Sequence, residues 1–501
     1  MATRSQPAPQ SAKTAYVIGS PTGFQAASVR YQAALSGLDC DPSIGIAGSV
    51  GKNAEKLAFL DDQELRRVKT MLPGLIIEPN LVYQHWSLLE GFEPVALPAS
   101  GSGDTVEIVV SGNHGEPLEG VTVYLIVRTE AGRKPGYRGT TDNKGVSQFT
   151  VARGSRHFAM LALFPRHSYW SRFVEPVEIV NRYTVALRPL EPTRPEVYDW
   201  GHEFAGMTDG AANRGEHVRI GVIDSGVSSN HLDLKPIGGL NCVFNEDPAR
   251  WHIDASGHGT HCAGVIAALL NGYGLKGYAP GADIISYRVM SSDSEGIFLF
   301  DVLTAINRAI EDECDIISMS FGVGTAQTLL RARIEVAYEH GVLCVAANGN
   351  QGGPVSFPAA FPHVHGVTAF GKFGAYPADS YHRHAESGIR SPDGQYYMAN
   401  FSNFGSQVEF CAPGVAIRST VPDGYLALDG TSMACPQITG LAALALAAHP
   451  DLRKAPRDAE RVERLVQVLR ESSDVMGFGS PYEGAGFPRI ERLLRGKALQ
   501  S

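Results

Sequence analysis

IGVIDSGV, Ile220 to Val227, is the stretch on which the fold turns. Ile220 to Ile223 is a short, β-branched apolar run, which predicts a strand buried on both faces, as in parallel sheets. It ends on Asp224, at the carboxyl end of the strand, where open α/β sheets gather their chemistry. Two further blocks have the same form. GHGTHCAG, Gly257 to Gly264, sets His258 before the apolar segment Cys262 to Leu270, and DGTSMACP, Asp429 to Pro436, sets Ser432 before the apolar segment Ala434 to Ala448. Both residues are therefore expected at helix starts. LCVAANGNQGG, Leu343 to Gly353, reads as a second buried strand closing in a Gly/Asn turn. The fold class expected from these blocks is α/β, a doubly wound and mostly parallel sheet.

A serine hydroxyl is a poor nucleophile at neutral pH. It needs a base to take its proton and a carboxylate to hold that base in the right tautomer. Asp224, His258 and Ser432 supply those three roles. Each has a plainer reading alone, as turn former, helix cap and N-cap. Their joint occurrence in the order Asp, His, Ser resembles the subtilisin-like serine proteases, or subtilases, over Trp200 to Leu494.

The resemblance implies a serine endopeptidase acting on peptide or protein substrates through an acyl-enzyme, with Asp224, His258 and Ser432 as triad. It implies Asn350 as the oxyanion-hole amide, with Asn348 the competing choice across Gly349. Ser320, Phe321 and Gly322, with Ala347, Asn348 and Gly349, would line the first specificity pocket. Met290, Ile297, Phe298 and Phe321 would form apolar second and fourth subsites under an acidic rim of Asp293 and Glu295. Phe298 and Phe300 read equally as helix-packing core. A structural Ca2+ is implied at Asp233 and Asn271, completed by the carbonyls of Leu269, Tyr273 and Leu275. Against it stands Asn271 as an ordinary helix C-cap before Gly272. Gln437 departs from the histidine common in the family, at a position outside the triad.

The chain has 501 residues, 44% hydrophobic and 19% charged, with net charge -9. That composition is globular, exceeds one core, and argues against a nucleic-acid partner. No apolar run reaches the ~20 residues of a membrane span, so no membrane partner is expected. MATRSQPAPQSAK, the first residues, lacks the apolar core of a secretory signal. The expected location is cytoplasmic as encoded, with export by a non-standard route or a missing signal as alternatives. Seven scattered cysteines read as buried thiols, and no zinc spacing occurs.

Residues 14–86 read strand, helix, strand, strand, helix, strand. With the phrase LPGLIIEPNLVY they resemble the subtilase propeptide, a ferredoxin-like α+β domain that would act as intramolecular inhibitor; a small regulatory domain is the plainer reading. Val82 to Trp86 would then cross the active site, with autocleavage between Trp86 and Ser87, or alternatively in the linker near Arg194. Residues 96–190 carry short strands at regular spacing and are expected as an antiparallel β-sandwich. Asp142 and Asn143 in it suit a hairpin turn better than calcium. RPLEPTRPE, Arg188 to Glu196, reads as a semi-rigid linker, giving a linker at 191–199 and a catalytic domain at 200–495. The competing functional class is a catalytically silent, protease-like scaffold that holds a peptide.

Overall fold

The computed structural model of the protein describes residues 13–20, 29–39, 44–50, 54–85, 103–129, 136–151, 155–175, 177–178, 180–190, 195–208, 214–291 and 296–495. The first domain runs β1 (Thr14–Gly19), α1 (Val29–Leu38), β2 (Ile46–Ser49), β3 (Lys56–Leu60), α2 (Asp62–Met71) and β4 (Ile76–Pro79). Its four strands pair antiparallel in the order β2-β3-β1-β4. The start of α2 is set locally: Asp61 accepts from the Glu64 N–H while the Glu64 carboxylate accepts from the Asp61 N–H. Strand alternation decides the rest. Ile18 and Ala58 join the domain's own small core with Leu35, Leu38 and Val68. Val17 and Leu57, one residue out of phase, belong instead to a core shared with the catalytic domain. Both faces of this sheet are therefore covered. A short strand, β5 (Val82–His85), follows.

The second domain has two sheets. One is β11-β10-β7-β8, from β7 (Thr122–Thr129), β8 (Gly136–Thr140), β10 (Ser155–Phe164) and β11 (Arg172–Val174), with β12 (Val177–Glu178) also on β10. The other is β13-β6-β9, from β6 (Asp104–Ser111), β9 (Val146–Val151) and β13 (Arg182–Ala186). Inward residues such as Val106, Ile108, Val123, Leu125 and Leu161 fill the space between them. The sandwich is not wholly antiparallel, because β13 pairs parallel with β6. The chain crosses from the first sheet after β12 and joins β6 in the same direction. Asp142 serves its hairpin, accepting from the Lys144 and Val146 N–H groups at 2.9 Å each.

The linker also differs from expectation on both flanks of 191–194, which lie outside the described residues. Leu190 is 2% exposed, and Val197 forms a parallel bridge with Leu275. Asp199 is buried and bonded to Arg418 at 2.8 Å. This segment is catalytic-domain structure that leads into α3 (Trp200–Ala205).

The catalytic domain comprises β14 (Arg219–Asp224), β15 (Gly238–Asn241), α4 (His258–Ala267), β16 (Asp283–Arg288), β17 (Gly296–Phe298), α5 (Leu299–Glu311), β18 (Ile316–Met319), β19 (Phe321–Gly322), α6 (Thr328–Glu339), β20 (Leu343–Ala347), β21 (Val364–Lys372), β22 (Tyr396–Met398), β23 (Val408–Pro413), β24 (Ile417–Val421), β25 (Gly424–Leu428) and α7 (Thr431–Ala448), with shorter elements to Leu493. The main sheet runs β15-β16-β14-β18-β20-β21-β22, with β23 beside β21, and is parallel except for β22. Alternation splits its side chains: Val222 and Val345 face α4 and α7, while Ile223, Met319 and Ala346 face α5 and α6. That is a doubly wound α/β sheet.

The helix α7 begins at Thr431, so Ser432 lies in its first turn rather than ahead of it. By length and composition alone this helix could cross a membrane, yet 89% of it is buried inside the protein. It is the central core helix. Six described cysteines, Cys242, Cys262, Cys314, Cys344, Cys411 and Cys435, are buried free thiols.

The sandwich docks on the turn 379–385. Phe173 N–H donates to the Asp379 carbonyl at 2.8 Å, and Arg172 and Arg188 each approach the Asp379 carboxylate at 3.4 Å. Phe164 meets Tyr381 and Trp170 meets His382 edge to face, at 4.9 and 5.7 Å between ring centres. His382 Nδ1 in turn bonds Asp429 Oδ1 at 2.7 Å.

Candidate active site

The end of β14 and the start of α4 meet at one hydrogen bond, His258 Nδ1 to Asp224 Oδ1 at 2.7 Å, with both residues buried. A carboxylate can only accept, so Nδ1 carries a proton, and in the neutral ring Nε2 is then the acceptor nitrogen. Behind this pair lies a support that the sequence blocks did not reveal. Ser225 Oγ reaches Asp224 Oδ1 at 3.1 Å and Asp254 Oδ1 at 2.8 Å, and accepts from the Gly259 N–H at 2.9 Å. Asp254 also accepts from the N–H groups of Gly257 and Thr260 and from Thr260 Oγ1. The first turn of α4, and with it His258, is thus tied to β14 by a buried acid. Asp254 lies three residues ahead of the Gly257 N-cap, so its position in the sequence carries no capping signal.

Cys262, one turn along α4, links this pair to α7. Its Sγ lies 3.9 Å from His258 Nδ1 and 3.5 Å from the Ser432 carbonyl. Burial pushes its thiol pKa far above the usual range. Ser432 Oγ donates to the Ser320 carbonyl at 3.1 Å, and Ser320 Oγ returns a bond to the Ser432 carbonyl at 3.1 Å. Asp224, His258, Ser432 and Ser320 therefore share one buried neighbourhood at the carboxyl ends of β14 and β18.

The two asparagines separate cleanly. Asn350 Oδ1 accepts from the Thr431 N–H at 2.9 Å and from Thr431 Oγ1 at 2.8 Å. Backbone N–H can only donate, so this end of the carboxamide is the oxygen and the NH2 end is turned the other way. A carbon added at Gly430 would stand 3.2 Å from that Asn350 Nδ2, beside the serine turn. Asn348 is fully buried with its side-chain oxygen against Gly366, on the sheet.

The cleft edges are β17 and β19, and β5 of the N-terminal domain lies antiparallel between them. Gln84 is opposite Gly296, Tyr83 opposite Ile297, Val82 opposite Phe298, and His85 opposite Phe321. Tyr83 is fully buried and meets Phe321 edge to face at 5.8 Å. Phe298 sits just before α5, and Phe300 is buried within it. Ala347 ends β20, and two residues on Gly349 N–H bonds Thr431 Oγ1 at 3.1 Å. Asp293, Glu295, Trp86 and Ser87 lie outside the described residues.

The same domain caps two catalytic-domain helices. Neither α5 nor α6 has a side-chain cap of its own. Asn80 Oδ1 accepts from the Phe300 N–H at 2.9 Å, and Glu78 accepts from Thr328 and Leu329 N–H at 2.7 and 3.1 Å. An anion at a helix N-terminus meets orphan donors and the positive end of the dipole. Arg333 of α6 and Glu55 form a buried ion pair alongside.

Asp233, Leu269, Asn271, Tyr273 and Leu275 form one loop cluster. Asp233 is fully buried; its carboxylate accepts from Leu275 N–H at 2.9 Å, Tyr425 Oη at 3.0 Å and Asn271 Nδ2 at 3.2 Å. Burial raises its pKa to about 6, and the nearby Glu196 carboxylate adds to the shift. Buried charge of one sign is the condition under which a bound cation stabilises a site. Asn271 turns its NH2 end to Asp233 and the Leu232 carbonyl, while its oxygen accepts from the Tyr273 N–H at 3.0 Å, so a hard cation here would need the Asn271 amide turned over.

Comparison with known proteins agrees with this chemistry. The model of the subtilase family matches residues 215–476. Subtilisin DY of Bacillus licheniformis is 34% identical over 285 residues, covering 56% of this chain and 91% of that protein. Subtilisin of Bacillus pumilus is 37% identical over 264 residues, 52% of this chain and 86% of its own length. Subtilisin NAT of Bacillus subtilis subsp. natto is 37% identical over 264 residues, 52% and 62%. With the acid–imidazole pair, the serine and the doubly wound sheet already described, the chain belongs to the subtilase family and is a subtilisin-like serine endopeptidase.

Proposed function

We propose that this endopeptidase is made as a self-processed zymogen, with Asp224, His258 and Ser432 as its triad and residues 14–86 as its own inhibitor. The observation that carries the reading is β5: a segment of the same chain occupies the strand-shaped gap between β17 and β19 that an extended peptide substrate would fill. A peptide bound there swings Ser432 Oγ from the Ser320 carbonyl toward His258 Nε2, which takes the proton as Oγ attacks the scissile carbonyl. Asp224 holds the tautomer and stabilises the imidazolium. The oxyanion meets Asn350 Nδ2 and the Ser432 N–H. Because Thr431 holds the other end of the Asn350 amide, the donor is aimed before the charge develops. His258 then protonates the leaving amine, and water repeats the sequence to free the acyl group.

The autocleavage bond in this reading is Trp86–Ser87, one residue beyond the end of β5, with Trp86 in a first pocket lined by Ser320–Gly322 and Ala347–Gly349. The sandwich would stay with the mature enzyme. Intact mass and N-terminal sequencing of wild type beside Ser432→Ala test this. A new N-terminus at Ser87 in wild type alone is expected; an active, uncut wild type would sink it.

A structural Ca2+ at Asp233 and Asn271, with the carbonyls of Leu269, Tyr273 and Leu275, belongs to the same proposal. The ion would supply the positive charge that the buried Asp233 lacks, and it has no part in the chemical steps. Exhaustive chelation should lower the thermal midpoint and added Ca2+ restore it; an unchanged midpoint removes the ion from the proposal.

A further inference from the structure

Gln327 precedes α6, with extended backbone at φ -120° and ψ 127°, and its side chain makes no cap bond to the helix. It is 2% exposed. Capping of α6 is done by Glu78, so the amide is left for another purpose. Both of its ends go to the segment that fills the cleft: Oε1 accepts from the Tyr83 hydroxyl, and Nε2 faces the Pro79 carbonyl at 3.4 Å. Tyr83 is itself fully buried, edge-on to Phe321 and opposite Ile297, in a core that includes Leu299, Leu329 and Leu330.

A pocket of those apolar walls alone would favour phenylalanine, because a buried phenol left without a partner loses the bonds it had with water. Gln327 reverses that preference. It places one acceptor at the far end of an apolar slot, at the point that a tyrosine hydroxyl reaches. A site built around a hydroxyl rejects the analogue lacking it, since the acceptor is then desolvated without a partner.

The geometry points to Gln327 as a specificity-determining residue that makes the subsite holding Tyr83 select tyrosine over phenylalanine in peptide substrates bound in the register of β5. The inference rests on the reading of β5 as a substrate-like strand. In that register Tyr83 stands four residues before the scissile bond when Trp86 is counted as the first. The selectivity thus acts away from the reacting carbonyl and is read in kcat/KM.

The test uses processed enzyme and two fluorogenic peptides, Val-Tyr-Gln-His-Trp and Val-Phe-Gln-His-Trp, each with a reporter amide after Trp. Wild type should cleave the tyrosine peptide with roughly 10-fold higher kcat/KM, allowing for a glutamine that regains some water when the slot is unfilled. Gln327→Leu should bring the ratio to about 1 or invert it. Gln327→Glu, which keeps an acceptor, should retain a tyrosine preference. A wild-type thermal midpoint in each variant excludes misfolding as the cause. Equal cleavage of both peptides by wild type, or an unchanged ratio in Gln327→Leu, overturns the role of Gln327 while leaving β5 substrate-like. Failure to cleave either peptide while other peptides are hydrolysed overturns the register, and this inference with it. Hydrolysis that survives Ser432→Ala overturns the proposed nucleophile instead.

Discussion

Two domains precede the protease and both pack on it, but they hold it by different means. The N-terminal α+β domain uses places that the enzyme itself leaves open: the strand gap between β17 and β19, and the bare N-termini of α5 and α6. Water, substrate or an anion can take those places, whereas the apolar core shared through Val17 and Leu57 and the buried Arg333–Glu55 pair have no such replacement. The sandwich instead grips a turn of the catalytic domain, 379–385, through a backbone bond, paired arginines and edge-to-face rings, and that turn is tied by His382 to Asp429, three residues before Ser432. Removing it would bare the ring contacts of Phe164 on Tyr381 and Trp170 on His382. The first arrangement suits a domain that leaves, and the second suits one that stays.

The largest effect that separates the two is loss of the cut itself. Ser432→Ala should lower kcat by on the order of 10⁶, a magnitude known for subtilisin, and leave all three domains on one chain. In wild type, size-exclusion after processing should separate the N-terminal domain from the joined sandwich and protease; an N-terminal domain that stays bound through the column would break the comparison. Asn350→Ala should lower kcat by roughly 10²–10³ with little change in KM, again the scale known from subtilisin. If Asn348→Ala shows that signature instead, the reading of the two amides is wrong.

On the sandwich side, Trp170→Ala should cost about 2–3 kcal/mol of stability, since it empties a half-buried aromatic contact against His382. Its thermal midpoint is the measure, and an unchanged value would mean that the sandwich rides loosely. The smallest effect belongs to the helix caps. Glu78→Ala, added in trans as the isolated inhibitor domain if that domain folds alone or read as the release rate after cleavage, removes one cap worth about 1 kcal/mol. That weakens inhibition roughly 5-fold. A loss confined to Asn80→Ala would show that α5, not α6, provides the hold.

How much of this was readable beforehand depends on how local each signal is. The four blocks around Asp224, His258, Asn350 and Ser432 each lie at a strand or helix end, so short-range periodicity and turn residues reveal the elements, while the roles of the residues come from the family resemblance. The order of strands and helices in 14–79 was readable for the same reason. Asp254 was not, although it lies four residues from His258, because a capping acid looks like any loop acid until its partners are known. The parallel β13–β6 pair escaped because strand alternation sets which face a residue takes and says nothing of strand direction.

The choice between Asn348 and Asn350 shows the division most plainly. Both lie in one turn, both are adequate donors, and their spacing is silent on the matter. Gly366 and Thr431, 18 and 81 residues further along, decide which amide faces the sheet and which faces the serine. Gln327 is a similar case: as sequence it is a polar residue before a helix, and only the arrival of Tyr83 from 244 residues away gives its amide a purpose. By itself, then, the sequence determined the family and the sheet strands and helices on which the proposed triad lies. The tertiary structure decided which donor points at which acceptor, because a side chain's chemistry is set by its composition but its partner is set by long-range packing that buries one and excludes water from both.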